Sequence, residues 1–172
     1  MRRQQRLSSN ISKDVIADPY SDAMTVALYS LAPRARSRAE IDSLLQKRGF
    51  ESDICEAVLD SLELQGLLND LEFAQLWRES RQRQKKLSRR TIASELRTKG
   101  VAQDIIDEVT IAIDDDAEYR IAFELAEKKY RSCSHLERDV IYRRISGLLA
   151  RKGFSHGLTA RIIAELEAPP EQ

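Results

Sequence analysis

Apolar residues follow one spacing pattern three times along this 172-residue chain. In each copy a glycine is preceded by Leu at four positions and Ile at eight, and it is followed by apolar residues at one, five and nine positions. Apolar residues four apart lie on one face of a helix. A glycine just after the last apolar turn is typical of a left-handed helix end. These glycines are Gly49, Gly100 and Gly153.

The pattern predicts two helices joined by a sharp turn in each copy, with a third helix before each pair. The first helices are predicted at 22–32, 70–86 and 116–132, the second at 37–48, 88–99 and 136–152, and the third at 52–65, 102–113 and 155–167. Pro33 should end the first of them, because the residue before a proline avoids the helical region. The sequence therefore predicts about nine helices.

Polar residues at the expected helix starts support these boundaries. Three pairs have the spacing of a capping box, namely Ser37 with Glu40, Asn69 with Glu72, and Ser134 with Glu137. Single serines are N-cap candidates at three further starts, Ser52, Ser88 and Ser155.

We therefore predict an all-α fold, an elongated array of three tandem three-helix repeats. The first unit is expected at 21–66, the second at 67–114 and the third at 115–168, after a flexible, polar tail at 1–20. The composition agrees, since a chain with 6% aromatic residues, 6 Gly and 4 Pro lacks what an all-β fold requires.

The candidate chemistry does not indicate an enzyme. His135 and His156 each lie next to a serine at a helix start, where solvated side chains are common. The acidic run 114–116 is better explained by the positive end of the seventh helix than by a metal. Cys55 and Cys133 have no zinc or redox spacing. We expect no catalytic residue, no cofactor and no metal site.

No segment approaches the ~20 apolar residues of a transmembrane helix, and no apolar run follows the charged start of the chain. We therefore expect a cytoplasmic protein without a membrane partner, and a monomer.

Charge is neutral overall but clustered locally. The chain has 28 basic and 28 acidic residues, yet RESRQRQKKLSRR at 78–90 contains seven basic residues and one acid. Two arginines at a helix start are unfavourable, which suggests that a partner supplies negative charge. A solvated charged face is the alternative. The candidate contact residues are Arg78, Arg81, Arg83, Lys85, Lys86, Arg89 and Arg90, with Arg143 and Arg144 in the third unit.

Four segments carry a resemblance to a known family. They are RARSRAEIDSLLQKRGF at 34–50, GLLNDLEFAQLWRESR at 66–81, RRTIASELRTKGV at 89–101 and RRISGLLARKGFS at 143–155. They resemble the RecX family of RecA regulators over about residues 22–167. One departure is Lys85-Lys86-Leu87-Ser88, where many relatives have glycines.

The resemblance implies a modular all-α fold of three three-helix repeats. It also implies a non-enzymatic regulator that lies along the groove of a RecA–DNA filament, contacts several subunits, and lowers ATP hydrolysis, strand exchange or filament growth. Two alternatives remain open from the residues: a helical protein that binds single- or double-stranded DNA directly, and a generic helical adaptor.

Overall fold

The computed structural model describes residues 18–168, and within that range the chain forms nine α-helices and no strand. They are α1 (Pro19–Leu31), α2 (Arg38–Lys47), α3 (Ser52–Leu64), α4 (Asp70–Ser80), α5 (Arg89–Thr98), α6 (Gln103–Ile111), α7 (Asp115–Arg131), α8 (Arg138–Lys152) and α9 (His156–Glu167). The predicted all-α class and the nine helices are confirmed. Most of the predicted tail, residues 1–17, lies outside the described residues.

The three predicted glycine turns are also confirmed. Gly49, Gly100 and Gly153 have left-handed φ angles of 89°, 74° and 89°. In each turn the N–H of the apolar residue after the glycine donates to the carbonyl of the leucine that lies four positions before the glycine. These bonds join Phe50 to Leu45 (3.3 Å), Val101 to Leu96 (3.2 Å) and Phe154 to Leu149 (3.1 Å). The same hydrogen-bonded helix end is therefore built three times.

The predicted helix starts hold at some sites and fail at two. Ser37 and Glu40 form a complete capping box, and Ser88 and Ser155 cap α5 and α9. Ser52 is instead the first residue inside α3. The helix start predicted at Ser134 is wrong. A turn closed by the hydrogen bond from the Leu136 N–H to the Cys133 carbonyl (3.0 Å) comes first, and α8 begins at Arg138.

The predicted helix 70–86 is also wrong at its end. α4 stops at Ser80, and one π-helical turn follows over Arg81–Lys85. Lys86 then takes a left-handed φ of 53°, which is strained for a residue other than glycine. The physical reason lies in the next two residues, since Leu87 and Ser88 are both buried and the chain must turn sharply to place them.

Each group of three helices has its own hydrophobic core. The isoleucine and leucine of each repeat are fully buried in all three, for example Ile41 and Leu45 in the first. Burying one such side chain contributes about 1.5–3 kcal/mol. Within residues 18–168, every pair of helices that packs extensively consists of two helices of the same unit. The position of one unit against the next therefore depends on smaller contacts at the junctions.

Candidate partner-binding surface

The first junction joins the start of α2 to the second unit. Ser37 is 0% exposed, and its hydroxyl donates to the Lys99 carbonyl at the end of α5, at 2.6 Å. The Arg38 N–H donates to the Asp70 carboxylate of α4, at 2.7 Å. A helix start has N–H groups without intrahelical acceptors. Here the Asp70 carboxylate of the second unit accepts one of these N–H groups, and the Lys99 carbonyl of the same unit accepts the Ser37 hydroxyl.

The second junction repeats this arrangement one unit later. Ser88 is 1% exposed, and its N–H donates to the Lys152 carbonyl at the end of α8, at 3.0 Å. The Arg89 N–H donates to the Glu118 carboxylate of α7, at 3.0 Å. When the three glycines are aligned, Ser37 corresponds to Ser88 and Lys99 to Lys152. The same two positions therefore meet at both junctions, although the serine donates through its hydroxyl at the first and through its N–H at the second.

The turn glycines make these junctions sterically possible. A Cβ atom on Gly100 would lie 2.3 Å from the Ala39 Cβ, and one on Gly153 would lie 1.8 Å from the Thr91 Oγ1. A Cβ on Gly49 would meet nothing within 4 Å. Gly100 and Gly153 therefore have two roles, the left-handed turn and the close approach of the preceding unit, whereas Gly49 has the first alone.

Glu40 is the electrostatic centre of the first junction. Its carboxylate accepts hydrogen bonds from Lys99 (2.6 Å) and Arg34 (3.1 Å). Burial tends to raise the pKa of Glu40, but these hydrogen bonds outweigh it and lower the pKa to about 2. Burial raises the pKa of Asp70, opposed in part by the hydrogen bond from the Arg38 N–H.

Two of the nine candidate cations are committed to the second unit. The Arg81 Nε donates to Glu95 at 2.6 Å, and its guanidinium lies 3.6 Å from the Trp77 ring centre. Trp77 donates to the same carboxylate at 2.9 Å. Arg78 donates to the Val109 carbonyl of α6 at 3.3 Å. These arginines fix α4 against α5 and α6.

Two more candidates cross the second junction. The Arg89 side chain pairs with Asp115 and, at 3.0 Å, with Glu118. Lys86 pairs with Glu124 at 2.8 Å. The negative charge that the sequence led us to expect from a partner is supplied to Arg89 by α7 of the same chain.

The remaining five candidates are exposed, and none forms an ion pair within residues 18–168. They are Arg83, Lys85, Arg90, Arg143 and Arg144. Arg83 and Lys85 lie in the π-helical turn, Arg90 lies in the first turn of α5, and the last two lie on α8. These cations are the ones left available for a partner.

Sequence reasoning missed the junction residues Asp70, Lys99, Glu118 and Lys152. Aligning the glycines could have paired Lys99 with Lys152, because both directly precede a turn glycine. The carboxylates gave no such signal, since Asp70 and Glu118 lie about 30 residues along the chain from the N–H groups that they accept.

Neither a cluster of metal ligands nor a membrane-spanning helix is found in the described part of the chain. Within residues 18–168, no three His, Cys, Asp or Glu side chains are grouped so that they could hold a metal ion. Cys55 and Cys133 are buried free thiols. Over the same range, no helix has both the length and the apolar composition needed to cross a membrane.

Comparison with known proteins identifies the family. Models of the first, second and third three-helix domains of RecX match residues 23–62, 69–109 and 116–163. Regulatory protein RecX of Mycobacterium avium (strain 104) is 41% identical over 152 residues, which cover 87% of this chain and 88% of the relative. The chain belongs to the RecX family. Regulatory protein RecX of Streptomyces coelicolor is 39% identical over 148 residues, 86% of this chain and 79% of the relative.

Solved RecX structures share the fold. The crystal structure of RecX from Lactobacillus salivarius superposes with a TM-score of 0.79 at 26% identity, covering 88% of this chain and 98% of that one. A second crystal structure, of a regulatory protein RecX, has a TM-score of 0.74 at 22% identity and supports the fold alone. The predicted family is thus confirmed, and the RecX relatives are named as regulatory proteins rather than by a reaction.

Proposed function

We propose that this RecX-family protein binds the RecA–DNA filament and lowers its ATP hydrolysis, strand exchange or extension. Membership of the family carries the proposal, because the resemblance implies RecA as the partner and the relatives are named as regulators. In this proposal the protein acts in the cytoplasm as a monomer, without a cofactor, and contacts several RecA subunits along the groove.

The modular architecture supports a contact with several subunits. Three separate cores joined through polar junctions form an array in which each unit can present its own surface. Modest contacts made by linked units add through effective concentration. A filament repeats its binding surface at regular intervals, so that an array of units can use the same chemistry more than once.

The exposed cations define the proposed contact. Lys85 and Arg90 are both exposed in the second unit, and Arg83 is exposed within the π-helical turn. Arg143 and Arg144 would contribute from the third unit. Arg78, Arg81, Lys86 and Arg89 hold the fold and the second junction, so their replacement would not test binding by itself.

ATP hydrolysis by a bacterial RecA on single-stranded DNA tests the proposal, with this protein added below one copy per RecA. We expect inhibition by the natural chain and a loss of inhibition of about tenfold in potency for the double variant Lys85→Glu/Arg90→Glu. The matched control is Arg120→Glu/Lys128→Glu on α7, which changes the net charge equally at two exposed cations.

The outcomes separate the alternatives. Equal inhibition by both double variants would reject this contact surface but keep RecA as the partner. No effect of the natural chain on RecA, together with binding to bare DNA that weakens steeply with salt, would favour direct DNA binding instead.

A further inference from the structure

A basic cleft lies beside the first junction, apart from the proposed contact around Lys85 and Arg90. It has a volume of about 480 Å³ and lies between α2 and the last turn of α5. Four cations line it, two from each unit: Arg36, Lys47, Arg97 and Lys99. Glu40 is the acid among the lining residues.

Three of these cations keep donors available. Arg36 uses its Nε to donate to the Ser30 carbonyl at 2.8 Å. Within residues 18–168, Arg97 donates to the amide oxygen of Gln103 alone, at 3.1–3.2 Å. Lys47 is exposed and has no hydrogen bond or ion pair from its side chain within residues 18–168. The fourth cation, Lys99, is paired with Glu40.

Helix ends explain how the cluster is assembled. Lys47 and Arg97 lie in the last turns of α2 and α5, where the helix dipole favours a cation. Arg36 directly precedes the N-cap of α2, where a cation is unfavourable, but its Nε donates to the Ser30 carbonyl in the last turn of α1. Three helix ends thus bring these cations to one cleft, and the guanidinium donors that Arg36 does not use there remain available to a ligand.

The opposite side of the first junction has the opposite charge. A second cleft of about 480 Å³ shares Ala39 and Gly100 with the basic one, but it is lined by Asp42, Glu56 and Asp70 with Arg38 as its cation. The two clefts thus separate charge across a narrow contact in a chain whose net charge is zero. Such a local field attracts an anion to one side alone.

We infer that the basic cleft binds an acidic segment of a partner protein, whose carboxylates pair with Arg36, Lys47 and Arg97. Ala39 and Leu44 also line the cleft, and their apolar surfaces suit the methylene groups of Glu side chains. Glu40 remains ionised at physiological pH and would repel a dense row of phosphates. A peptide can place its carboxylates beside the cations and an uncharged residue beside Glu40.

The second junction argues further for a peptide rather than a nucleic acid. With the glycines aligned, the positions of Arg36, Lys47 and Arg97 are occupied there by Leu87, Thr98 and Ala150. A nucleic-acid strand following the array would need phosphate contacts along its length. The cation set does not repeat, so the cleft is a single local site.

Fluorescence anisotropy with a labelled acidic peptide, in which eight Glu residues alternate with Ala, tests the inference without RecA. We expect saturable binding to the natural chain, and a dissociation constant raised by about tenfold or more in Lys47→Glu/Arg97→Glu. The control Arg120→Glu/Lys128→Glu has the same net charge and should change affinity less than about twofold. A milder variant, Lys47→Gln/Arg97→Gln, should weaken binding in the same direction if charge reversal disturbs folding.

Three results would overturn the inference. They are no saturable binding of the alternating Glu-Ala peptide, an equal loss of affinity in the cleft and control variants, or tighter binding of an oligothymidylate of equal charge that the cleft variant abolishes. The last result would assign the cleft to nucleic acid. Because RecA is absent from the assay, none of these results bears on the proposed inhibition of the filament.

Discussion

The two junctions share a backbone contact but differ in the ion pairs that reinforce it. At the second junction Arg89 and Lys86 cross to three carboxylates of α7. At the first, Arg38, which corresponds to Arg89, turns back to Asp60 of its own unit at 2.8 Å. Within residues 18–168, Lys99 with Glu40 is the one ion pair that crosses the first junction.

This difference indicates unequal stiffness along the array. Both junctions place a buried serine against a helix end, so both define a docking position. The second adds cross-boundary pairs that resist rotation of one unit against the next, whereas the first depends on Glu40 and on the contact of Ala39 with Gly100. We expect the second and third units to move together more closely than the first and second.

The largest expected effect comes from closing the space at the turn glycines. Gly100→Ala and Gly153→Ala should each lower the free energy of unfolding by roughly 3 kcal/mol or more, because the added Cβ meets the preceding unit in a strained backbone. Gly49→Ala should cost only about 1–2 kcal/mol, since it has the strain without the collision. Urea unfolding followed by circular dichroism measures all three.

Spin labels on α2 and α5, and on α5 and α8, show whether a junction has opened. We expect Gly100→Ala to broaden the first distance distribution, Gly153→Ala the second, and Gly49→Ala neither. Equal destabilisation by the three variants with unchanged distances would mean that the junctions do not depend on the glycines.

Acid should weaken the first junction through Glu40. The pKa of Glu40 is about 2 in the folded protein and lies below its ordinary value of 4.5. Its contribution, on the order of 3 kcal/mol, is therefore present above pH 4.5 and is lost as the pH falls toward 2. The pKa of Asp70 is raised, so its protonation on acidification has the opposite sign and offsets part of the loss.

Glu40→Gln checks this origin of the acid sensitivity. The variant should be less stable at pH 7 and should lose less stability between pH 4.5 and 2 than the natural chain. At the second junction Thr91 occupies the position of Glu40, so Glu40→Gln should leave the distance between α5 and α8 unchanged at each pH. An identical pH profile for the natural chain and the variant would contradict the role of Glu40.

The sequence predicted the repeated elements well because their signals are local. Ile41, Leu45 and Gly49 specify a helix face and its end within nine residues, and the same spacing recurs twice. These local features predict the three turns, the two helices beside each turn and the all-α class. The family resemblance rested on the same segments.

The junctions and the candidate surface could not be predicted in the same way. Ser37 and the Lys99 carbonyl are 62 residues apart, and no periodicity links them. Basic residues in one segment looked equivalent, yet Arg81 is bound to Glu95 while Arg90 is exposed. Which cation finds an internal carboxylate depends on how the units dock, and that is a tertiary property.

A smaller effect should separate Arg89 from its counterpart Arg38. Arg89→Ala should cost about 1–2 kcal/mol, because it leaves the Glu118 carboxylate, whose side chain is only 13% exposed, with fewer partners. Arg38→Ala should cost less than about 1 kcal/mol, since Asp60 is 58% exposed and can be hydrated. Arg89→Ala should broaden the spin-label distances between α5 and α7, whereas Arg38→Ala should leave those between α2 and α4 unchanged. Equal broadening of the two distances by the two variants would contradict the difference in stiffness between the junctions.

The smallest effect concerns Lys86, where strain and an ion pair oppose each other. Its left-handed backbone costs about 1 kcal/mol, and its partly exposed pair with Glu124 returns at most about 1 kcal/mol. Lys86→Gly loses the pair but relieves the strain, so its stability should change by less than about 0.5 kcal/mol. Lys86→Ala loses the pair and keeps the strain, and it should be about 1 kcal/mol less stable than Lys86→Gly by urea unfolding. If the glycine variant is the less stable of the two, the backbone entropy that glycine loses on folding outweighs the strain that it relieves at position 86.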